Sequence, residues 1–450
     1  MNCKRRIMYR MDFYTIREPN YSRIDFPALY ARYRESRPAV MQYVHDVTYP
    51  TYIPWEKARF MKPPQGFTPE ESWYIAHDLR SANAQALPVR TPDGEHFTWT
   101  RLNYTDQYLN QFDLYMGGHF LTQQARLNSS EQQSFLTRGV LEEAIASSQL
   151  EGASVTRKQA KDMIAENRTP RNKSEWMAYN NYQMMLKITA VYKDVPLSLD
   201  LLLEMHRTLA IHTMEEGDIG RWRQDADEVT IGPELSPLTT FVPPKNAFLM
   251  QELSRLITFA NANDSEHFMH PIIKAIVLHF WVAYLHPFVD GNGRMARALF
   301  YWLLHKYDYG LATYIPLSTV IKRAPIQYSD AYVYSEQDNN DFTYFYDYHM
   351  KKLKIALDDF LGYVERQRNE NRQIDHALES YAVLNSRQKQ IMHYLLSNQH
   401  HRVSMTSHAT LNKISLGTAL ADLKHLQKVG LVFPAPEGRF VYYYAKPLQG

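Results

Sequence analysis

A chain of 450 residues with 45% hydrophobic and 22% charged residues has an ordinary globular composition; this excludes extensive disorder and, at about 100–200 residues per domain, predicts two to four domains. Its 50 basic and 48 acidic residues leave a net charge of +2, so no global field draws it onto nucleic acid or membrane, and any such contact must be local. The single cysteine, Cys3, excludes an internal disulfide, and neither a leader core after the basic first ten residues nor a run of roughly 18 apolar residues is evident, so a soluble cytoplasmic protein is expected.

Residues 1–110 are rich in aromatic residues, prolines and turn formers, as in "DVTYPTYIPWEKARFMKPPQGF". Pro92, Asp93 and Gly94 predict a turn entering a short strand, hence a mixed α/β region, and this region carries no chemical motif. From about Asn110 the pattern becomes helical. "GVLEEAIASSQLEG" places Leu141, Ala144, Ile145 and Ser148 on one face and stops at Gly152. Ser174 is the expected N-cap of "SEWMAYNNYQMMLKITAVY", and Ser198 or Asp200 that of "SLDLLLEMHRTLAIH". Pro271 opens "PIIKAIVLHFWVAYLHPF", apolar on more than one face and therefore the expected buried centre of a helical bundle. One exception interrupts the helices: "EVTIGPELSPLTTFVPP" alternates at Val229 and Ile231 and ends on Phe241, Val242 and two prolines, which predicts a loose hairpin or flap. The charged stretch "ERQRNENRQIDHALESY" reads as a solvated helix or linker, and a separate unit, residues 385–450, follows.

The segment "HPFVDGNGRMAR", His286 to Arg297, concentrates the chemistry. Pro287 forces the chain out of the preceding helix, Gly291 and Gly293 permit positive φ, and Asn292 is the expected N-cap of the next helix. Such a turn aims backbone N–H groups and the positive end of a helix at one point, a ready anion site. Arg294 and Arg297, three residues apart, stand on neighbouring positions of one face from which both can reach that anion. Phosphate is the expected guest. Asp290 beside it requires a hard cation such as Mg²⁺ to bridge carboxylate and phosphate, and His286 is a base for neutral pH. The set points to phosphoryl or nucleotidyl transfer onto a hydroxyl. Each residue taken singly has a bland structural reading; their clustering in one turn is what favours a site.

The segment resembles the signature of the Fic family: His-Pro-Phe, any residue, Asp or Glu, Gly-Asn, Gly or Lys, Arg, two further residues and Arg. Every position matches. The resemblance covers roughly residues 111–370 and implies a mainly α, Fic-type helical bundle that transfers AMP from ATP to a Ser, Thr or Tyr hydroxyl of a protein, itself included. By the same resemblance His286 is the catalytic base, Asp290 holds Mg²⁺, Gly291, Asn292, Gly293, Arg294 and Arg297 bind the nucleotide phosphates, and Phe288 anchors the loop. The flap is similar to the family's hairpin over the active site and implies that Val229, Thr230, Ile231 and Gly232 dock the target by strand addition. "SSQLEG", Ser147 to Gly152, resembles an inhibitory motif, which implies that a helix around 140–152 places Glu151 against Arg297, with Ser147 and Gly152 part of the motif. The signature leaves open the donor base, another transferred group, or hydrolysis of the AMP ester; homodimers are a further expectation from such family members.

The last unit reads as helix, helix, helix, hairpin and resembles a winged helix. Leu416, Leu420, Leu423 and Leu426 are expected to face inward, and Thr418, Asp422, Lys424, His425 and Lys428 to be offered to a DNA groove. A docking or dimerisation module is an equal alternative. A DNA-binding regulator with a nucleotide-sensing core is therefore the second functional class.

Overall fold

Proline and capping residues set the first helices. The computed structural model describes residues 13–117, 129–232, 239–262, 268–378, 384–396, 401–438 and 440–447. Its N-terminal region forms α1 (Phe26–Glu35), α2 (Arg37–Thr48), α3 (Trp55–Ala58) and α4 (Pro69–Ser81). Asp25 caps α1 by accepting from Ala28 N, and Thr68 with Glu71 makes a reciprocal capping box ahead of Pro69 in α4. The hairpin β1 (Gln85–Arg90) and β2 (His96–Trp99) is antiparallel, with Gln85 opposite Trp99, and turns through Gly94 at φ +89°. While α1–α4 close small apolar clusters of their own, the hairpin buries Leu87, Val89, Phe97 and Trp99 in the main core.

That core is helical: α5 (Thr105–Met116), α6 (Ser129–Leu150), α7 (Arg157–Ala165), α8 (Lys173–Ala190), α9 (Leu199–Ala210), α10 (Asn246–Asn261), α11 (Pro271–Leu285), α12 (Asn292–Lys306), α13 (Leu317–Ile321), α14 (Pro325–Gln337) and α15 (Thr343–Leu378). At its centre lies the pair α11 and α12. In α11 the run from Ile272 to Val282 is buried without interruption, as an all-round apolar sequence requires; each such Leu, Ile, Val or Phe contributes roughly 1.5–3 kcal/mol by leaving water. Ser198 caps α9, accepting from Leu201 N at 3.1 Å. The cap of α8 is Asn172, which accepts from Glu175 N at 2.9 Å, and not Ser174. The Ser174 hydroxyl instead accepts from Ser154 N at 3.0 Å, because Asn172 already supplies the extended residue and the acceptor that the helix end needs. The charged stretch from Glu365 to Leu378 belongs to α15, a continuous helix of 36 residues; the last three residues of the stretch lie outside the described residues. Among the described residues no helix is long and apolar enough to cross a membrane.

The C-terminal unit comprises α16 (Ser386–Leu396), β3 (Val403–Ser404), α17 (Met405–Asn412), α18 (Leu416–Lys428), β4 (Val432–Glu437) and β5 (Phe440–Ala445), with the antiparallel strand order β3-β5-β4. The inward face of α18 differs from the expected one. Ala419, Leu423 and Leu426 are buried, Leu420 is half-buried and Leu416 is exposed. Asp422 is also inward: it accepts from Arg387 Nε at 2.7 Å and Asn385 Nδ2 at 3.0 Å and lies 3.1 Å from His408 Nε2. Burial alone would raise its pKa, but these bonds hold it down at about 2. Asp422 is thus a structural ion and not available to a groove; Lys424 and Lys428 remain exposed on α18.

Candidate active site

The turn between α11 and α12 is held from three sides. His286 ends α11 in the left-handed conformation, φ +48° and ψ 60°, which costs a non-glycine residue about 1–2 kcal/mol. Arg223 offsets that strain: its Nε donates to His286 O at 2.6 Å, its Nη2 to Leu285 O at 3.2 Å and to Pro244 O, and its backbone N to Pro287 O at 2.9 Å. Phe288 is fully buried, stacked on His206 with centroids 3.8 Å apart and on Trp222 at 5.2 Å. Asn292 then bridges the loop, its Oδ1 accepting from Phe288 N at 2.9 Å and its Nδ2 donating to Phe288 O at 2.8 Å.

Two expectations change here. Asn292 is not the helix cap; Gly291, at φ +86°, takes that position and no side chain caps α12, because the Asn292 amide is used by the loop. The uncapped first-turn N–H groups keep their capacity for an anion. Of the two glycines only Gly291 needs positive φ; Gly293 is already helical. What Gly293 provides is space, since a Cβ there would lie 2.2 Å from Glu151 Oε1.

His286 is half-buried, and burial pushes its pKa down to about 4, so at neutral pH it is an uncharged base. Its Nδ1 lies 3.3 Å from Ala283 O; that contact assigns the proton to Nδ1 and leaves the Nε2 lone pair free. His206 is likewise neutral, pulled to about 4 by burial. Gly220 N donates to its Nδ1 at 3.0 Å, so Nε2–H donates to Asp290 O, also at 3.0 Å. The Asp290 side chain is 46% exposed, with Oδ2 at 3.7 Å from Arg294 Nη2.

The two arginines are both buried but differently employed. Arg294 donates from Nη1 to Leu209 O at 3.0 Å, while its Nε and Nη2 are buried without a hydrogen-bond partner among the described residues. Burial lowers its pKa against the pull of Asp290 and Glu151. A buried cation with two unsatisfied donors is costly unless something anionic visits them. Arg297 is satisfied: Nε donates to Ser147 Oγ at 2.8 Å, and Nη2 to Ser147 O at 3.0 Å and Glu151 Oε1 at 2.7 Å. Burial is the largest single influence and opposes its charge, yet the charge and hydrogen bond of Glu151, together with Tyr328 and Glu143, outweigh it and raise its pKa.

The Glu151 contact is one rung of a ladder. Helices α6 and α12 run antiparallel, and steps of four residues on each meet in turn. Tyr301 OH donates to Glu143 Oε2 at 2.9 Å, Ser147 meets Arg297, and Glu151 lies over Gly293. Glu143 also accepts from Ser318 N at 2.9 Å and from Ser318 Oγ, tying α6 to α13. Gly152, at φ +83°, ends the helix, with Ala153 N reaching back to Ser148 O at 3.0 Å.

Among the described residues the flap is pinned by an antiparallel pair: Ile231 N donates to Phe241 O at 2.9 Å and Ile231 O accepts from Thr240 N at 2.7 Å. Val229 and Ile231 are half-buried, Thr230 and Gly232 exposed; residues 233–238 lie outside the described residues. All the signature residues and the Ser147–Gly152 motif thus converge on the start of α12. Arg223, His206 and Glu143 were not expected at the site. Only Glu143 had a legible signal, its place on the same four-residue stripe as Ser147 and Glu151.

A helical bundle whose central antiparallel pair ends in a His-bearing loop, with buried arginines on an uncapped helix N-terminus, defines the class of this protein. Residues 196–304 match the Fic/DOC family, so this segment of the chain carries a Fic domain. Curated relatives similar to it include proteins named protein adenylyltransferase Fic. That of Drosophila erecta is 32% identical over 137 residues, 30% of this chain and 23% of the relative; that of Drosophila melanogaster is 33% identical over the same shares. The match thus spans about a quarter of those relatives' length. Among solved structures, a Fic family protein from Desulfovibrio desulfuricans aligns with a TM-score of 0.50 at 17% identity, over 77% of this chain and 97% of that one, a likeness of fold.

Proposed function

We propose that this protein transfers AMP from ATP to a Ser, Thr or Tyr hydroxyl of a protein, its own chain among the acceptors, and that α6 restrains the reaction through Glu151. The reading rests on one observation above others: two buried donors of Arg294, without a hydrogen-bond partner among the described residues, lie at the uncapped start of α12, on the same loop as a neutral His286. The named activity of the relatives supports it.

In this reading the triphosphate lies on the amides of Asn292 and Gly293 and, once Asp290 Oδ1 releases it, of Gly291, with Arg294 Nε and Nη2 as charged donors and Arg297 toward the γ-phosphate. The acceptor oxygen attacks the α-phosphorus while His286 Nε2 takes its proton; the new P–O bond forms as the bond to pyrophosphate breaks, so His286 ends protonated and pyrophosphate leaves. The negative charge of bound phosphates raises the His286 pKa from its depressed value, strengthening the base in the complex. Asp290, half exposed beside the Arg294 donors, fits a cation that arrives with the nucleotide, since Mg²⁺ typically takes one or two carboxylates plus phosphate oxygens; bound there it would neutralise phosphate charge. The neutral His206 orients the Asp290 backbone and so the carboxylate's place in the loop. The flap edge Val229–Gly232 receives the acceptor as an added strand.

Glu151 occupies the arginine that the γ-phosphate would use, and its carboxylate fills the space over Gly293. Incubation with α-labelled ATP tests the reading: label should accumulate on the Glu151→Gly chain and be absent from Glu151→Gly/His286→Ala. Equal labelling of the two would refute it.

A further inference from the structure

Extended chain flanks the flap on its second strand. Tyr14 N donates to Thr239 O at 2.8 Å, and Phe13 pairs with Thr239 in parallel. Residues Thr239–Phe241 therefore have backbone neighbours on both sides, Ile231 on one and Phe13–Tyr14 on the other, and Thr239 is buried between them. The residues after Tyr14 are held by side chains. Gln337, the last residue of α14, accepts from Ile16 N at 2.8 Å and donates to Tyr14 O at 3.0 Å, so one side-chain amide meets a carbonyl and an N–H two residues apart, as a neighbouring strand would. Next to it Glu56 accepts from Arg17 N at 3.3 Å and Tyr334 OH at 3.1 Å.

We propose that residues 13–16 are a third strand of the flap, clamped by Gln337, which fixes the flap over the site and selects the Val229–Gly232 edge as the one that receives an extended acceptor segment. Two-stranded hairpins are marginal in water, and among the described residues this one shows a single pair, Ile231 with Phe241, plus the Phe241 ring 5.2 Å from Tyr284. The third strand supplies a further neighbour and ties it through Gln337 to the helical core. It also covers one of the two edges. On the other strand Ile231 uses both backbone groups inward, so by the alternation of an antiparallel ladder the N–H groups of Thr230 and Gly232 point outward. The inference rests on the docking role proposed for the flap, and Gln337 and residues 13–16 act through the flap, not on reacting atoms.

The experiment uses the full chain in the Glu151→Gly background, with Gln337→Ala and, separately, deletion of residues 1–16. Two quantities are read: hydrogen exchange of peptides spanning 226–242, and AMP transfer in trans to a Glu151→Gly/His286→Ala chain as acceptor, with ATP affinity measured alongside. Both variants should exchange flap amides faster and lower transfer to the acceptor roughly tenfold, with ATP affinity unchanged. Unchanged flap exchange overturns the third strand. Faster exchange with equal or greater transfer overturns its positioning role, leaving the segment a plug and not a brace. Faster exchange with no transfer even in the parent sinks the transferase reading while the third strand stands.

Discussion

Replacing Glu151 with Gly removes the carboxylate that pairs with Arg297 among the described residues. The ion pair is short, 2.7 Å, with the arginine side chain 3% and the glutamate 25% exposed. At an effective dielectric of about 20, charges roughly 4 Å apart interact by about 4 kcal/mol, and losing one partner of a buried pair costs about 3–5 kcal/mol. Glu151 is a quarter exposed and Arg297 retains Ser147 Oγ and O, so a value of about 2–3 kcal/mol applies to the contact a γ-phosphate must displace. At 1.4 kcal/mol per factor of ten this is roughly 30- to 150-fold. Self-modification by Glu151→Gly, followed as initial rate with α-labelled ATP, should exceed that of the parent by that factor. Glu151→Gln, which keeps the bulk over Gly293 without the charge, should fall between. An unchanged rate in Glu151→Gly would refute the restraint, and equal rates for Gly and Gln would show that charge alone, not occupancy of the space over Gly293, sets it.

Other consequences follow from the same geometry. Because burial holds His286 at about 4, it is a free base above that pH, so kcat/KM in the Glu151→Gly background should stay level from pH 8 to 5 and fall only on acidification towards 4; a midpoint near the ordinary histidine value of about 6.5 would contradict the assigned environment. Arg223→Ala removes bonds to three backbone carbonyls around His286. At about 1.5–3 kcal/mol for each charged hydrogen bond, it should lower thermal stability measurably and abolish transfer, and Arg223→Lys should not rescue either, lacking the planar fork. His206→Ala unstacks Phe288 and frees Asp290 O; a loss of about 1–3 kcal/mol, roughly ten- to hundred-fold in Mg-ATP affinity by calorimetry, is expected, against no change if His206 is mere packing.

Strong periodicity and punctuation made most of the fold legible. Pro271 and the all-round apolar run gave the central helix, and Gly152 the end of α6, because these depend on local chemistry. What was misread depended on competition for a polar group. Asn292 looks like a cap but is drawn into the loop by Phe288, and Asp422 looks like a surface residue but is drawn inward by Arg387 and His408. The site residues from His286 to Arg297 were legible as a contiguous segment. Arg223 and His206, more than sixty residues upstream, were not, since only the packing of α9 and the following loop against the turn between α11 and α12 brings them there. Likewise the sequence offers both arginines equally to an anion, whereas the fold leaves two Arg294 donors without a hydrogen-bond partner among the described residues and engages Arg297 with Glu151.

Transfer of AMP to a hydroxyl with His286 as base is the step on which the proposed function stands. Intact mass and peptide mapping of Glu151→Gly and Glu151→Gly/His286→Ala after incubation with ATP and Mg²⁺ test it most directly. An AMP-sized addition on a Ser, Thr or Tyr is expected in the first protein and none in the second, with nucleotide binding retained in both. An addition of another mass, or one that persists without His286, would contradict it.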